Sequence, residues 1–328
     1  KHEKDKFSSM NALLQELNSR NLGTIFKKYE KGYRSRFNIS TNIDRDYYYH
    51  LNRFDNLIYD HLKLTDRKSG VIRMKKHAEK LINSDISLTV FYISEIIFDY
   101  MNVLSHTSKY NVEIVDNFTS ALIESVDVYK ILGIISKSNK KTFLAELYSH
   151  LLKAYIDFDN DNNYFRYKEL VKEHTGKLTL SEASFHYARL VNYCIRKQKV
   201  YQSEEKFDNE LIELYDEMMK KGFYKNDVND CIPNSLYRAV VILGFKLGRT
   251  EWLEVFINNY IGSVQPHYKD DLYNFGMIYI NFARKNYEEV LEKTKIIKGD
   301  SFIYKFDMLG LRLKTLYELK NYEELFDV

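Results

Sequence analysis

The feature that most constrains the fold of this chain is a five-residue segment that recurs unchanged. Lys-Asn-Tyr-Glu-Glu occupies 285–289 and again 320–324. An aromatic residue holds the same place one period earlier, because Trp252, Tyr287 and Tyr322 are each 35 residues apart. A period of this length is typical of chains built from stacked helical hairpins, which bury their apolar faces only against one another.

An apolar pattern precedes each of these segments and predicts a helix. Its residues stand at i, i+3, i+4 and i+7, which is one face of an α-helix. Pro233 and Pro266 precede the first two occurrences, at a helix start, where proline is well tolerated. The three occurrences are Leu236, Ala239, Val240 and Leu243, then Leu272, Phe275, Gly276 and Tyr279, then Phe306, Leu309, Gly310 and Leu313.

These residues resemble the tetratricopeptide repeat, a helix–turn–helix of about 34 residues. The resemblance covers about 230–328. It implies a right-handed α-solenoid of antiparallel hairpins, in which Gly276 and Gly310 let two helices cross closely. Val240 departs from the pattern where a small residue is typical. In the second helices Val255, Val290 and Leu325 depart in the same way.

Upstream, an all-α chain is predicted without a clean period. Only 2 prolines and 12 glycines interrupt 328 residues, which favours long helices. Thr179 and Glu182 predict a capping box, and Gly222 predicts a helix end. The helices are expected at about 7–18, 22–35, 43–64, 70–83, 86–105, 112–136, 142–155, 164–174, 179–199 and 204–221.

The predicted organisation is an irregular helical region at 1–140 followed by hairpins at 141–328, clearest at 233–328. The first region is either the start of the solenoid or a separate basic-faced bundle, and 226–230 is the best candidate boundary. Because the chain begins without Met and stops one turn into a helix, we expect a fragment or a processed form whose last repeat is truncated.

Charge and cysteine content exclude some classes of protein. Residues 1–80 hold 18 Lys and Arg against 10 Asp and Glu, although the whole chain is only +3. Two cysteines make no disulfide framework, which favours a cytoplasmic location.

The best apolar run, 86–93, stops at Glu95, so we expect no membrane-spanning helix and no membrane partner. Cys194 is predicted to be a buried small hydrophobe.

Metal, cofactor and catalytic sites are not expected. The loop at 157–163 lacks the glycine and glutamate of a calcium loop, since Asn162 and Lys168 stand in their places. His150 and His186 lie in helical patterns and are predicted to pack rather than to bind metal. No Gly-rich phosphate loop occurs. We therefore predict no enzymatic activity and no cofactor.

The first functional hypothesis is a scaffold that binds a protein, a peptide or a second copy of itself. First helices of stacked hairpins face the concave side, and apolar or amide side chains there suit a peptide or a helix. The equivalent places in the next repeat are Asp307, Gly310 and Leu311. The predicted partner-binding residues are Tyr273, Met277, Ile280 and Asn281.

A second hypothesis is binding of nucleic acid or another polyanion by the basic front of the chain. Cations interleaved with aromatic residues suit phosphates and stacked bases, although a solvated helix face has the same composition. A third hypothesis is a regulatory region of a larger protein. The candidate polyanion-binding residues are Lys27, Lys28, Lys31, Arg34 and Arg36, with Arg73, Lys75 and Lys76 in a second cluster.

Overall fold

The protein is all-α, and neighbouring helices pack on one another. A computed structural model describes residues 2–20, 22–39, 42–65, 71–110, 118–125, 127–137, 143–200, 205–225, 230–294 and 302–326. Across these ranges it contains sixteen α-helices and no strand, only two isolated parallel bridges. The chain divides into two compact units, Lys1–Arg189 and Leu190–Val328. The predicted division at 140 falls inside the first unit.

The first unit is built on a long helix, and it contains α1 to α8 and the first ten residues of α9. α4 packs along α3 and α7, α1 packs on α2 and α3, and α8 packs on α7. The sequence predicted a break near 84 that does not exist, because no Gly or Pro interrupts the helix there. The helices are α1 His2–Ser19, α2 Gly23–Ile39, α3 Arg45–Thr65, α4 Val71–Tyr110, α5 Phe118–Ser125, α6 Val128–Ser136, α7 Phe143–Ile156, α8 Asp161–His174 and α9 Leu180–Val200.

The second unit contains three successive helical hairpins that match the repeated sequence. α11 packs on α12, α13 on α14 and α15 on α16, while α12 and α14 also pack on the helix that follows. α11 and α13, the first helices of two neighbouring hairpins, touch as well. The helices are α10 Glu205–Lys221, α11 Asn234–Lys246, α12 Thr250–Tyr260, α13 Lys269–Ala283, α14 Tyr287–Thr294, α15 Phe302–Glu318 and α16 Tyr322–Phe326.

Identical helix ends define the register of the three hairpins. Gly248, Lys285 and Lys320 follow α11, α13 and α15 in the left-handed region, with φ of 65°, 63° and 57°. Each amide donates back to the carbonyl three residues earlier, and the next amide donates to the carbonyl five residues earlier, which is a Schellman motif. The predicted end at Gly222 is confirmed with the same geometry.

This register corrects the sequence alignment of the first hairpin. The repeat is 37 residues from Gly248 to Lys285 and 35 from Lys285 to Lys320. Trp252 is the third residue of α12, whereas Tyr287 begins α14, so the predicted equivalence of the two aromatics is wrong by two positions. In the corrected register Ala239, and not Val240, is the partner of Gly276, and the first hairpin has its small residue after all.

The two helix glycines have different roles. A Cβ on Gly276 would lie 2.5 Å from Cδ1 and 2.9 Å from Cγ1 of Ile257, so α13 and α12 do approach closely there. A Cβ on Gly310 would meet nothing within 4 Å. The prediction of close packing is therefore right for Gly276 and wrong for Gly310, which lies in α15 in open space.

Candidate functional site

The predicted partner-binding residues of α13 do not share one open surface. Tyr273 is 40% exposed and Met277 is half-buried. Ile280 and Asn281 are buried, and Asn281 Nδ2 donates to Oε2 of Glu289 at 2.9 Å. The expectation that Ile280 and Asn281 face outward is wrong, because this side of α13 packs against the neighbouring helices of its own unit.

The side of α11 near Tyr273 is also bridged to α15. Arg238 of α11 forms two hydrogen bonds with the carboxylate of Asp307. Tyr304 Oη donates to the carbonyl of Asn234 at 3.0 Å. Asp307 was expected beside the partner surface, but its carboxylate is taken up by this internal ion pair.

A different surface of the second unit is apolar and open. Four residues of α15, Phe306, Leu309, Leu313 and Tyr317, follow one another at helical spacing and form what we term the α15 stripe. Phe306, Leu309 and Tyr317 are 67%, 42% and 63% exposed. Leu313 is half-buried. The prediction had assigned three of these positions to a packed helix face.

The positions of Leu313 and Tyr317 are covered in the earlier hairpins. In the common register, Val241 and Ile278 correspond to Leu313, and both are fully buried. Phe245 corresponds to Tyr317, and its ring packs edge-on against Tyr279 and Phe282 of the next first helix, with centroids 5.1 and 5.8 Å apart. Tyr317 therefore lies on the side of α15 that corresponds to the side of α11 on which α13 packs.

A groove lies between α10 and α12, with a volume of about 390 Å³. Trp252, Phe256 and Tyr260 line it as a row of rings spaced one turn apart, with neighbouring centroids 5.8 and 5.4 Å apart. Asp216 and Lys220 pair with each other at 2.6 Å on its rim. Sequence reasoning missed the groove because it treated Trp252 only as a repeat marker, although the i, i+4, i+8 spacing of the rings was visible.

The candidate polyanion-binding residues of α2 divide into two sets. Lys27, Lys28, Lys31 and Arg36 are exposed, and no ion pair joins them to any residue that the structure describes. Arg34 differs, since its guanidinium bonds Oδ1 of Asp55 at 2.9 Å and lies over the ring of Phe54. The second cluster cannot be placed in the same way, because the side chains of Arg73, Lys75 and Lys76 lie outside the described part of the structure.

The first unit encloses a polar network that the sequence did not reveal. Arg45 Nε is 2.6 Å from Oε1 of Glu95, and its Nη1 donates to Tyr148 Oη at 2.8 Å. Tyr148 donates in turn to the carboxylate of Glu182, which is 3.5 Å from His186 Nε2. Tyr148, Glu182 and His186 are buried, whereas the side chain of Glu95 at the edge of the cluster is 32% exposed, so the cluster joins four helices mainly through buried groups.

The carboxylate of Glu182 is available to this network because its predicted donor, the amide of Thr179, bonds a different acceptor. The capping box expected Glu182 to accept from the amide of Thr179. That amide donates to Ile43 O across an isolated bridge, while Thr179 Oγ1 still accepts from the Glu182 amide at 3.2 Å. Burial alone would raise the pKa of Glu182, but hydrogen bonds and charges from His186, Arg45 and Tyr148 together hold it below its usual range.

One stretch of α4, Ile86–Ser105, is long and apolar enough to cross a membrane by length and composition alone. The prediction that no segment reaches this length is therefore wrong by that criterion. Within the first unit the stretch packs on α3 and α7, and Arg189 donates to Met101 O and to Asn102. A core helix passes the same test, so the stretch is weak evidence for a membrane span.

The remaining candidates occupy structural positions. In the loop at 157–163, Asp157 accepts from Asn160 and Asn163, and Asn160 caps α8. Across the described ranges, no group of three His, Cys, Asp or Glu side chains lies close enough to hold a metal ion. Cys194 is buried, as predicted.

Comparisons with known proteins do not assign this chain to a family. It matches no protein-family model, no curated protein and no solved structure.

Proposed function

We propose that this chain is a binding module, a tetratricopeptide-like right-handed array of helical hairpins that holds a protein partner without chemistry of its own. Support comes from three hairpins with one capping geometry and a repeat of 35 to 37 residues. The absence of matches to known proteins leaves the proposal resting on this geometry and on the α15 stripe.

The observation that carries the proposal is the contrast between Phe245 and Tyr317. The two aromatics occupy the same position, yet one packs on the next first helix and the other is 63% exposed. A contiguous exposed apolar stripe on a folded unit usually marks a surface of interaction. The partner that fits this stripe is an amphipathic helix, which would pack on α15 as α13 packs on α11.

Charged residues near the α15 stripe indicate which charges the partner helix should carry. Among the charged residues of α15 and of the turn at 319–321, Lys305, Lys314 and Lys320 are exposed, and Glu318 is the exposed acid. Rim charges of one sign favour a partner of the opposite sign and raise the association rate. We therefore expect a helix with an apolar face flanked by Asp or Glu.

A pull-down from lysate of the native host, repeated with variants of the α15 stripe, would test the proposal. The wild-type chain and the variants Leu309→Glu and Tyr317→Glu would be used as bait, and the captured proteins quantified by mass spectrometry. A matched control is Tyr92→Glu, which places the same charge on an exposed aromatic of the first unit. The captured amount of a partner should fall at least tenfold with both stripe variants and should be unchanged with the control. The reason is that binding would have to bury the introduced carboxylate against the partner.

Two results would contradict the proposal. Equal capture of every protein by wild type and both stripe variants would show that the α15 stripe binds nothing. Loss of the partner with Tyr92→Glu alone would move the site to the first unit. Sedimentation velocity of the purified chain, with and without Tyr317→Glu, would show whether the partner is a second copy.

A further inference from the structure

We propose that the outward face of α2 docks on an anionic membrane surface. This face, the α2 face, consists of Leu22, Ile25 and Tyr29 along one edge, where Arg36 also lies, and of Lys27, Lys28 and Lys31 over the rest. The inference concerns the first unit and does not depend on the partner proposed for α15.

Helical geometry places these residues on one continuous exposed surface. At 3.6 residues per turn, Ile25, Tyr29 and Arg36 lie on one edge, Lys27 and Lys31 on the opposite edge, and Lys28 between them. Leu22 accepts the first hydrogen bond of the helix, from Phe26, and extends the apolar edge. Leu22, Ile25 and Tyr29 are all exposed.

The opposite side of α2 anchors the helix to its unit. Phe26 is fully buried and stacks on His61 with ring centroids 3.9 Å apart. Phe37 is also buried and stacks on Phe7 at 4.3 Å. Because both ends of the helix are held by packed rings, the α2 face is formed before any partner arrives, and little ordering is needed on binding.

The charge of the face is complementary to an anionic surface. Its four cations have no ion pair with any described residue, and Glu30 is the one acidic residue in the sequence of α2. Arg34 is neutralised separately by Asp55. Basic residues close to a membrane are attracted by anionic headgroups, and each adds to the binding free energy.

The aliphatic residues of the α2 face favour a membrane over a nucleic acid as its partner. Leu22 and Ile25 have no donor for a phosphate and no ring face for a base, so they contribute nothing to nucleic-acid binding. At a bilayer interface the same side chains enter the boundary between headgroups and acyl chains, while neighbouring lysines remain with the phosphates. A helix with cations on one part of its exposed face and aliphatic residues on the other fits the membrane.

The test is co-sedimentation of the full chain with vesicles of phosphatidylcholine, alone or mixed with phosphatidylserine. Binding is expected to the mixed vesicles only. The triple variant Lys27→Gln, Lys28→Gln and Lys31→Gln should lower the partition coefficient about a hundredfold. Each lost charge accounts for a factor of about five. The control removes three exposed lysines elsewhere, with Lys130→Gln, Lys137→Gln and Lys269→Gln, and should bind as the wild type does.

A second pair of variants tests the aliphatic edge. Leu22→Gln with Ile25→Gln leaves every charge in place and should weaken vesicle binding about tenfold. Val255→Gln, at an exposed position in the second unit, is its control. Circular dichroism and thermal midpoints would confirm that each variant is folded, since all the changed residues are exposed.

Three outcomes would overturn the proposal. The first is no binding to the mixed vesicles. The second is binding that survives the loss of all three lysines. The third is binding of single- or double-stranded nucleic acid that the lysine variant abolishes and the Leu22 and Ile25 variant leaves unchanged, together with no vesicle binding. That result would assign the α2 face to nucleic acid.

Discussion

Arg238 and Asp307 form a two-bond ion pair between residues 69 positions apart, with Nη2 of the arginine 2.7 Å from Oδ1 of the aspartate. It joins α11 to α15, the first helices of the first and third hairpins. The hydrogen bond raises the pKa of Arg238, so the guanidinium stays charged at any pH at which the protein is folded. The pair therefore links the first hairpin to the third through their first helices.

Asp307→Asn is expected to lower the free energy of unfolding by about 2 kcal/mol, because a half-buried guanidinium loses its counter-charge. Urea unfolding would measure this change. The control is Glu254→Gln, since Glu254 pairs with Arg284 through a similar two-bond contact in a more exposed place. Its loss should be much smaller because solvent screens that pair. Equal losses in both variants would contradict the role given to burial.

Alanine at the two helix glycines should have opposite effects. Gly276→Ala forces a Cβ against fully buried Ile257 and should cost about 1–3 kcal/mol. Gly310→Ala has open space around it and should stabilise α15 by about 0.5–1 kcal/mol through helix propensity. Thermal and urea unfolding of both variants would check this. Recovery of stability in Gly276→Ala with Ile257→Val would identify the clash as the cause.

Local signals predicted much of the second unit. Gly222 fixed one helix end, and the predicted ends of α9 and α10 differ from the observed ends by no more than one residue. These features depend on capping and periodicity within a few residues. The register failed where the alignment relied on aromatic type, because Trp252 and Tyr287 share chemistry but not position.

The sites were harder to predict because they depend on contacts distant in sequence. Nothing near Arg238 indicates Asp307, and nothing near Arg45 indicates Glu182, since neither pair has a sequence spacing that geometry imposes. The burial of Ile280 follows from packing of neighbouring helices, which one helix pattern cannot show. The basic face of α2 was recognised, because exposed cations on one helix are a local property.

Glu182→Gln should reduce stability and flatten its dependence on acid. The pKa of Glu182 is held below its usual 4.5, so its stabilising contribution is complete above about 4.5 and is lost as pH falls through the lower folded-state pKa. The amide cannot balance the charge of Arg45, and the loss at neutral pH should be about 3 kcal/mol. Urea unfolding across this pH range would test both effects. An unchanged acid slope would show that the carboxylate is not ionised in the folded protein.

His150 should make the first unit sensitive to milder acid. Burial, with the charges of Arg166 and Lys153, lowers its pKa from 6.5 to about 4. The unfolded chain therefore binds a proton at a pH where the folded chain does not. The stability that depends on neutral His150 is complete above about 6.5 and falls as pH drops toward 4.

His150→Gln should reduce the loss of stability between these two pH values, and urea midpoints at several pH values would measure it. The slope should not vanish, because burial also lowers the pKa of His61 and His174. Arg166→Gln provides an independent check. It removes one of the charges that disfavour the imidazolium, so it should raise the pKa of His150 and produce an intermediate slope. A wild-type slope in both variants would show that His150 does not control the acid sensitivity of this unit.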